Sequence, residues 1–374
     1  MMNKKDIIVF YPSFERGGAT ANLINFVNIS SKKNNIYLIS NINKKDEKKY
    51  FLKNINFYTI YNFSIKFISK RLITSILSLY LLVKIFNKTK SKNSIIVSFQ
   101  SHIFSICIAK LFRRKIIIRN SEDVLGATKH ADIKTLAYIV LFLKSFFYFF
   151  CDAIITNSTK AKKSLQQITF NKKKISLIYN PYLYNINKYN KKPRKNFILS
   201  VGRLCKQKNQ ESLIRAFNIF LKKFPKYRLI LIGHGKDEVK LKNICINLKI
   251  RDKVKFKGWL TNLDYFYKSS KLFVFPSLYE GLPNALIDSV NNELPSISSK
   301  CSGAEDILTN KYGTFIQSND YNLLAKKMIY SIDNYNESLK KVRKIKLGLY
   351  RFLANPQILK YLQLTNRILG KKFK

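Results

Sequence analysis

An α/β fold of two doubly wound parallel sheets accounts for this chain, on three observations. Short apolar runs alternate with helical patterns along most of the sequence, glycines stand where several of those runs stop, and one break divides the alternation into two series. Alternating strand and helix patterns imply a parallel sheet covered on both faces. At 374 residues the chain also exceeds what a single hydrophobic core fills.

In the first series the expected strands are 7–11, 36–40, 95–99, 116–119, 153–156 and 176–179. Helical patterns fall between them at 19–28, 67–86, 103–112, 133–150 and 159–167. Asn180-Pro181 opens an Asn-, Lys- and Tyr-rich stretch with another proline at 193, a hinge signal. A second series follows, with strands at 197–201, 228–232, 254–257, 272–276, 295–298 and 313–316. Its helices are expected at 210–224, 237–248, 263–269, 284–291 and 321–332, and the tail from Glu337 reads as helical, with a break or restart at Pro356. The organisation predicted is a domain over 1–185, a linker at 186–195, a domain over 196–340 and a tail over 341–374.

Composition narrows the function. Apolar residues make up 46% of the chain, as in ordinary globular proteins. The five cysteines (107, 151, 205, 245 and 301) are scattered and never spaced Cys-x2-Cys, which argues against a disulfide framework or structural zinc and fits a reducing cytoplasm. Three histidines without ligand spacing predict no metal site. The apolar run after Asp6 ends at Pro12; it is too short for the core of a signal peptide and reads better as a strand.

The net charge is +48. Residues 1–190 hold 32 Lys+Arg against 8 Asp+Glu and the remainder 37 against 13, so no single basic arm carries the excess. Acids are absent from 48–121 and 153–210, and from the last 37 residues, which hold 11 basic side chains. Such surfaces attract an anionic membrane, at roughly 1 kcal/mol per lysine or arginine. Nucleic acid is disfavoured, because no recognition motif is present and the aromatics lie in apolar runs instead of alternating with basic residues. Two apolar stretches, Leu72–Val83 and Leu136–Phe150, fall short of the ~20 residues of a spanning helix. Both fit core-facing helices and also helices lying in a membrane interface.

The chemistry concentrates in Pro276-Ser277-Leu278-Tyr279-Glu280-Gly281-Leu282-Pro283-Asn284-Ala285-Leu286-Ile287-Asp288. A strand, a glycine turn and a helix opened by Pro283 aim peptide N–H groups and the positive end of a helix dipole at one point, which suits a diphosphate. Glu280 and Asp288 suit hydroxyls of a sugar or a ribose. The same stretch also reads as a core helix with a dipole-complementing carboxylate. Upstream, the strand at 197–201 runs into Gly202-Arg203, with Lys208 shortly after: a fork and a point charge for phosphate oxygens, placed where open α/β sheets bind ligands. A weaker turn, Gly233-His234-Gly235, lacks the third glycine of a dinucleotide fingerprint.

In this order the motifs resemble glycosyltransferase family 4 (glycosyl transferases group 1), retaining enzymes of the GT-B fold. In that fold two Rossmann-like domains face each other across a cleft. The likeness covers most of the chain and is strongest from about Phe197 to Asp306; Gly17-Gly18-Ala19 also resembles the family's N-terminal glycine loop. The resemblance implies that Arg203 and Lys208 hold a donor diphosphate and that Glu280 lies near the transferred sugar. Asp288, where the family usually has glutamate, would contact the ribose. Gly17, Gly18, Gly202, Gly233 and Gly235, with the backbone around Gly281, Leu282, Asn284 and Ala285, would line the nucleotide sugar. It also implies that the tail crosses back to the first domain. His102, Arg119 and Glu122 stand where acceptor contacts are expected.

The activity expected is metal-independent transfer of a hexosyl or N-acetylhexosaminyl group from a UDP- or GDP-sugar to a glycan or polyprenyl-diphosphate-linked acceptor, with no cofactor. The expected setting is bacterial surface polysaccharide synthesis (capsule, O-antigen or lipooligosaccharide), peripheral at the inner face of the plasma membrane. A sugar-nucleotide epimerase of the same fold and a non-catalytic polyanion-binding protein are the alternatives.

Overall fold

The computed structural model describes residues 4–15, 17–42, 48–60, 70–188, 193–317 and 319–370. The start of the 67–86 helix and the middle of the 186–195 linker therefore lie outside the described residues. The chain forms two compact units. One comprises 1–124, 131–184 and 351–374, and the other 125–130 and 185–350.

The first unit is a seven-stranded parallel sheet in the order β3-β2-β1-β4-β5-β6-β7. Its strands are β1 (Asp6–Phe10), β2 (Asn35–Ser40), β3 (Ile55–Thr59), β4 (Ser94–Ser98), β5 (Lys115–Asn120), β6 (Ala153–Thr156) and β7 (Ile175–Leu177). Central strands are buried on both faces, as βαβ crossovers require: Ile7, Ile8, Val9 and Phe10 of β1 are inaccessible to solvent. The register sets Ile7 beside Ile36 on one side and Ile95 on the other. Strand β3 was not anticipated. It is an edge strand, Ile55-Asn56-Phe57-Tyr58-Thr59, in which only Ile55 is buried, so it lacks the apolar run that marks its neighbours.

The helix Ala354–Ile368 returns to this unit, where Ile358, Tyr361 and Leu364 join the core made by β1, β4 and the helix Gly18–Ser30. Pro356 lies in its first turn, where a missing N–H costs no helical bond. The helix Lys70–Lys88 buries Ile73, Leu82, Ile85 and Phe86 and leaves Leu72, Ile76, Leu77 and Tyr80 exposed, so one face of it packs on the core. The helix Lys134–Tyr148 is different: Tyr148 is its one buried residue.

The second unit is a six-stranded parallel sheet in the order β10-β9-β8-β11-β12-β13. Its strands are β8 (Phe197–Val201), β9 (Arg228–Ile232), β10 (Val254–Phe256), β11 (Leu272–Phe275), β12 (Ser296–Ser299) and β13 (Thr314–Ile316). Its helices include Gln210–Leu221, Glu238–Asn247, Asn284–Asn291, Tyr321–Asp333 and Tyr335–Lys346. Leu213, Phe217 and Phe220 of the first of these pack with Leu324 and Met328 over the sheet. Glu293, 5% exposed, accepts from Lys346 Nζ at 2.9 Å and Arg343 Nε at 3.1 Å. A buried carboxylate is tolerated only when paired in this way.

Candidate functional site

Ligands of a doubly wound sheet sit beyond the carboxyl ends of the strands, where the strand order reverses. In the second unit that point falls between β8 and β11, which are hydrogen-bonded neighbours. The segments leaving them are 202–209 and 276–283, which carry the residues singled out above. They are knitted together. Leu278 N–H donates to the Gln207 carbonyl at 2.8 Å, and Gln207 Nε2 donates to the Tyr279 carbonyl at 2.9 Å.

At the centre, Lys208 Nζ donates to Glu280 Oε1 at 2.5 Å, with the two side chains 16% and 12% exposed. The ammonium also lies 4.8 Å from the centre of the Phe275 ring, within cation–π range. The lysine stem runs over Gly202, where an added Cβ would stand 3.3 Å from Cδ and Cε. A glycine there leaves the stem its path, so the charge is held by a carboxylate, a ring face and a bare backbone. Arg203 is exposed, and its Nη2 reaches Gln207 Oε1 at 3.4 Å. Its guanidinium stands at the open side of the same segment.

Gly233 and Gly235 lie after β9. A Cβ on Gly235 would sit 2.1 Å from the Leu204 carbonyl oxygen, and one on Gly233 the same distance from that of Gly202. Leu204 N–H donates to the His234 carbonyl at 2.9 Å. The visible work of this Gly-x-Gly is to press the β9 exit against the β8 exit. His234 is a surface residue 3.1 Å from Glu238.

The helix Asn284–Asn291 begins directly after the 276–283 segment, with Pro283 as its N-cap and no capping side chain. Its positive end lies at Pro283 to Ala285, three residues from Glu280, and Asp288 sits one turn into it. Leu282 is 6% exposed and Asn284 9%. Three partners went unnoticed in the sequence. Gln207 and Phe275 hold the lysine–glutamate pair, and His130, part of the second unit, stacks on Tyr279 at 6.0 Å and 12°. No spacing rule points to them, since each acts through a tertiary contact.

The remaining candidates belong to the first unit, whose order reverses between β1 and β4. There Ser13 N–H donates to Gln100 Oε1 at 3.0 Å and its carbonyl accepts from Gln100 Nε2 at 3.1 Å. Gly17 and Gly18 open the first helix. His102 begins the helix after β4, with Nδ1 3.1 Å from Ser98 Oγ and its ring edge-on to Tyr148. Glu122 pairs with Lys144.

Arg119 departs from the expectation. It is 1% exposed, and its guanidinium donates to Tyr361 Oη at 2.8 Å, to Asn180 Oδ1 at 2.5 Å and to Ser121, with the Phe99 ring 5.2 Å away. All three nitrogens are engaged inside the fold, so the residue ties the last helix to β5 and offers no open group to an acceptor phosphate. A strand-end arginine reads as ligand-binding from sequence because its distant partner Tyr361 is invisible there.

Comparisons with known proteins bear on the fold and on the second unit's family likeness. The glycosyl transferases group 1 family matches residues 184–346, the segment that carries the β8 and β11 exits. Solved structures agree in architecture. HepE of Anabaena, crystallised with UDP and glucose, superposes with a TM-score of 0.79 over 97% of this chain and all of that one, at 16% identity. The fold is GT-B. Among curated relatives of this GT-B chain, an uncharacterized glycosyltransferase of Haemophilus influenzae is 34% identical over 187 residues, covering 49% of this chain and 52% of the relative. An α-1,4-N-acetyl-D-galactosaminyltransferase of Campylobacter jejuni, named for a diNAcBac-PP-undecaprenol-linked substrate, is 27% identical over 257 residues, covering 67% and 68%. The chain spans about half the length of the first curated relatives it matches.

Proposed function

We propose that this GT-B protein transfers a hexosyl or N-acetylhexosaminyl group from a UDP- or GDP-sugar to a hydroxyl of a lipid-linked glycan. The anomeric configuration is retained, and the setting is bacterial surface polysaccharide synthesis at an anionic inner membrane face. The observation that carries this reading is the Lys208–Glu280 pair at the strand-order reversal, beside Arg203 and the positive end of the helix Asn284–Asn291. A departing diphosphate needs fixed positive charge at the moment it forms. An ammonium already held in place supplies that with little reorganisation. Arg203 adds a two-pronged donor, and helix N–H groups add more. With these groups the leaving diphosphate is neutralised by the chain's own residues and no metal is invoked. In donor complexes Glu280 orients the sugar while keeping Lys208 on the phosphate side, and Asp288 faces the ribose. Relatives named for undecaprenyl-diphosphate-linked sugars and for capsular and amylovoran polysaccharides support the acceptor class.

The test is a panel of UDP- and GDP-sugars, read by thermal shift and by nucleotide release, with and without a chelator. At least one donor should raise the melting temperature and be slowly hydrolysed in both conditions. Lys208→Ala should lower turnover by ~10²–10³-fold, the scale of a lost preorganised donor, while the variant stays folded. No response to any donor, or a Lys208→Ala variant as active as the parent, would remove the reading.

A further inference from the structure

We infer that the helix Lys134–Tyr148, with Phe149, Phe150 and Phe170, is the surface by which this protein lies on an anionic phospholipid bilayer. This deepens the proposed function, which requires an enzyme at a membrane, by assigning the face that meets the lipid.

The argument begins with a mismatch between sequence and burial. The helix reads Lys-Thr-Leu-Ala-Tyr-Ile-Val-Leu-Phe-Leu-Lys-Ser-Phe-Phe-Tyr, yet of these residues the fold buries Tyr148 alone. Tyr138 is 62% exposed, Phe142 69% and Phe170 77%, and Leu136, Ile139 and Phe146 are each about half exposed or more. Scattered apolar residues on a surface are ordinary, but a contiguous patch marks an interaction site. Contiguity is shown by the rings: Phe146 meets Phe147 and Phe150, and Phe149 meets both Phe150 and Phe170, with centroids 5.3–6.4 Å apart. Beside them an open groove of about 860 Å³ runs between Tyr138, Leu141 and Phe142 on one wall and Ile168 and Phe170 on the other.

Charge selects the occupant. Lys163 and Lys172 line the groove, and Lys160 and Lys173 are exposed nearby. From 131 to 175 the sequence holds eight lysines against two aspartates, and Asp152 is already paired with Lys110 and Lys115. Within the helix, Lys134 is the first residue and Lys144 is paired with Glu122, and the stretches 135–143 and 145–148 hold no charged side chain. An apolar face rimmed by lysines matches an interface between acyl chains and anionic headgroups. At 15 residues the helix is about 22 Å long, too short to span, and it therefore lies in the plane of the interface. Among the described residues no helix is long and apolar enough to cross.

Co-sedimentation of the full chain with vesicles tests this, without any sugar donor. Binding is expected to phosphatidylglycerol/phosphatidylcholine vesicles and to be much weaker with phosphatidylcholine alone. The double variant Phe142→Asp/Phe170→Asp, changing two exposed side chains, should weaken binding at least tenfold while keeping the parental melting temperature and donor-induced thermal shift. Lys163→Gln/Lys172→Gln should lose roughly tenfold or more on the anionic vesicles alone, from two headgroup contacts. Absence of binding to the anionic vesicles, or binding unaffected by the aspartate variant, overturns the inference. So does a concentration-dependent dimer, seen by light scattering and dissolved by the same aspartates, because the occupant would then be a second copy. Failure of the sugar-transfer reading would appear in the donor panel and leave the vesicle result unchanged.

Discussion

Lys208 illustrates how little a residue's charge says about its role in a chain with 69 lysines and arginines. What sets it apart is confinement: a stem over Gly202, a head between Phe275 and Glu280, and an exposure of 16% where most lysines are open. The strand exit and the glycine were legible in sequence; the ring and the pairing distance were not. Arg119 shows the reverse, since its position suggested a ligand and its surroundings assign it to packing. The cysteines allow a further prediction at this scale. Burial pushes the Cys151 thiol up to about 12 and the Cys245 thiol up to about 11. The thiolate is the reactive form; partial burial raises the Cys107 thiol too, but its side chain is exposed, so iodoacetamide at pH 8 should label Cys107 well ahead of Cys151 and Cys245. Peptide mass spectrometry of the native protein checks this, and rapid labelling of either buried thiol would contradict their placement.

Among the elements, the segment between the helix Lys134–Tyr148 and β6 is held by the Asp152 carboxylate and by Lys174, whose Nζ donates to the Phe149 and Cys151 carbonyls at 2.9 Å. Asp152 Oδ2 accepts from Lys110 Nζ at 2.7 Å and from the Ile116 N–H at 2.9 Å, and Oδ1 accepts from Lys115 Nζ at 3.2 Å. Burial alone would push its carboxyl up. The hydrogen bonds from Lys110, Ile116 and Lys115 outweigh that and hold it below the usual carboxylate range. A depressed value means the charged form is favoured in the fold. Its contribution is therefore full above the ordinary carboxylate pKa and is lost as pH falls through the native value. Asp152→Asn should cost about 1–3 kcal/mol at pH 7, measured by urea unfolding, and the gap between variant and parent should shrink as the solution is acidified below pH 4 or so. A gap constant from pH 7 to pH 3 would show that charge has no part in it. Most strand positions were legible from apolar runs. The edge strand β3 was not, because a strand with one buried residue does not produce such a run.

For the whole molecule, the governing fact is that the helix Ala354–Ile368 returns to the unit that holds β1. Tyr361 meets Arg119, 242 positions earlier, at 2.8 Å, and packs on Phe26 with ring centroids 5.1 Å apart. Burial pushes the Tyr361 hydroxyl up, so it remains a neutral acceptor for the guanidinium. Tyr361→Phe leaves a buried arginine nitrogen without its partner, and about 1–3 kcal/mol of stability should be lost. Denaturant melts of both proteins decide it; an equally stable variant would mean that the last helix is held by its apolar face alone.

Most of the strand and helix order, the two-sheet class and the glycines at the strand exits were readable from the sequence, because hydrophobic periodicity and glycine placement are local properties of a chain. Which strands neighbour one another, which charges are confined and which apolar helix stays uncovered were not, because each depends on residues far apart in sequence meeting in space. The helix Lys134–Tyr148 shows the division most clearly: its letters fit a core and an interface equally well, and only the folded chain shows that all of it but Tyr148 stays unburied.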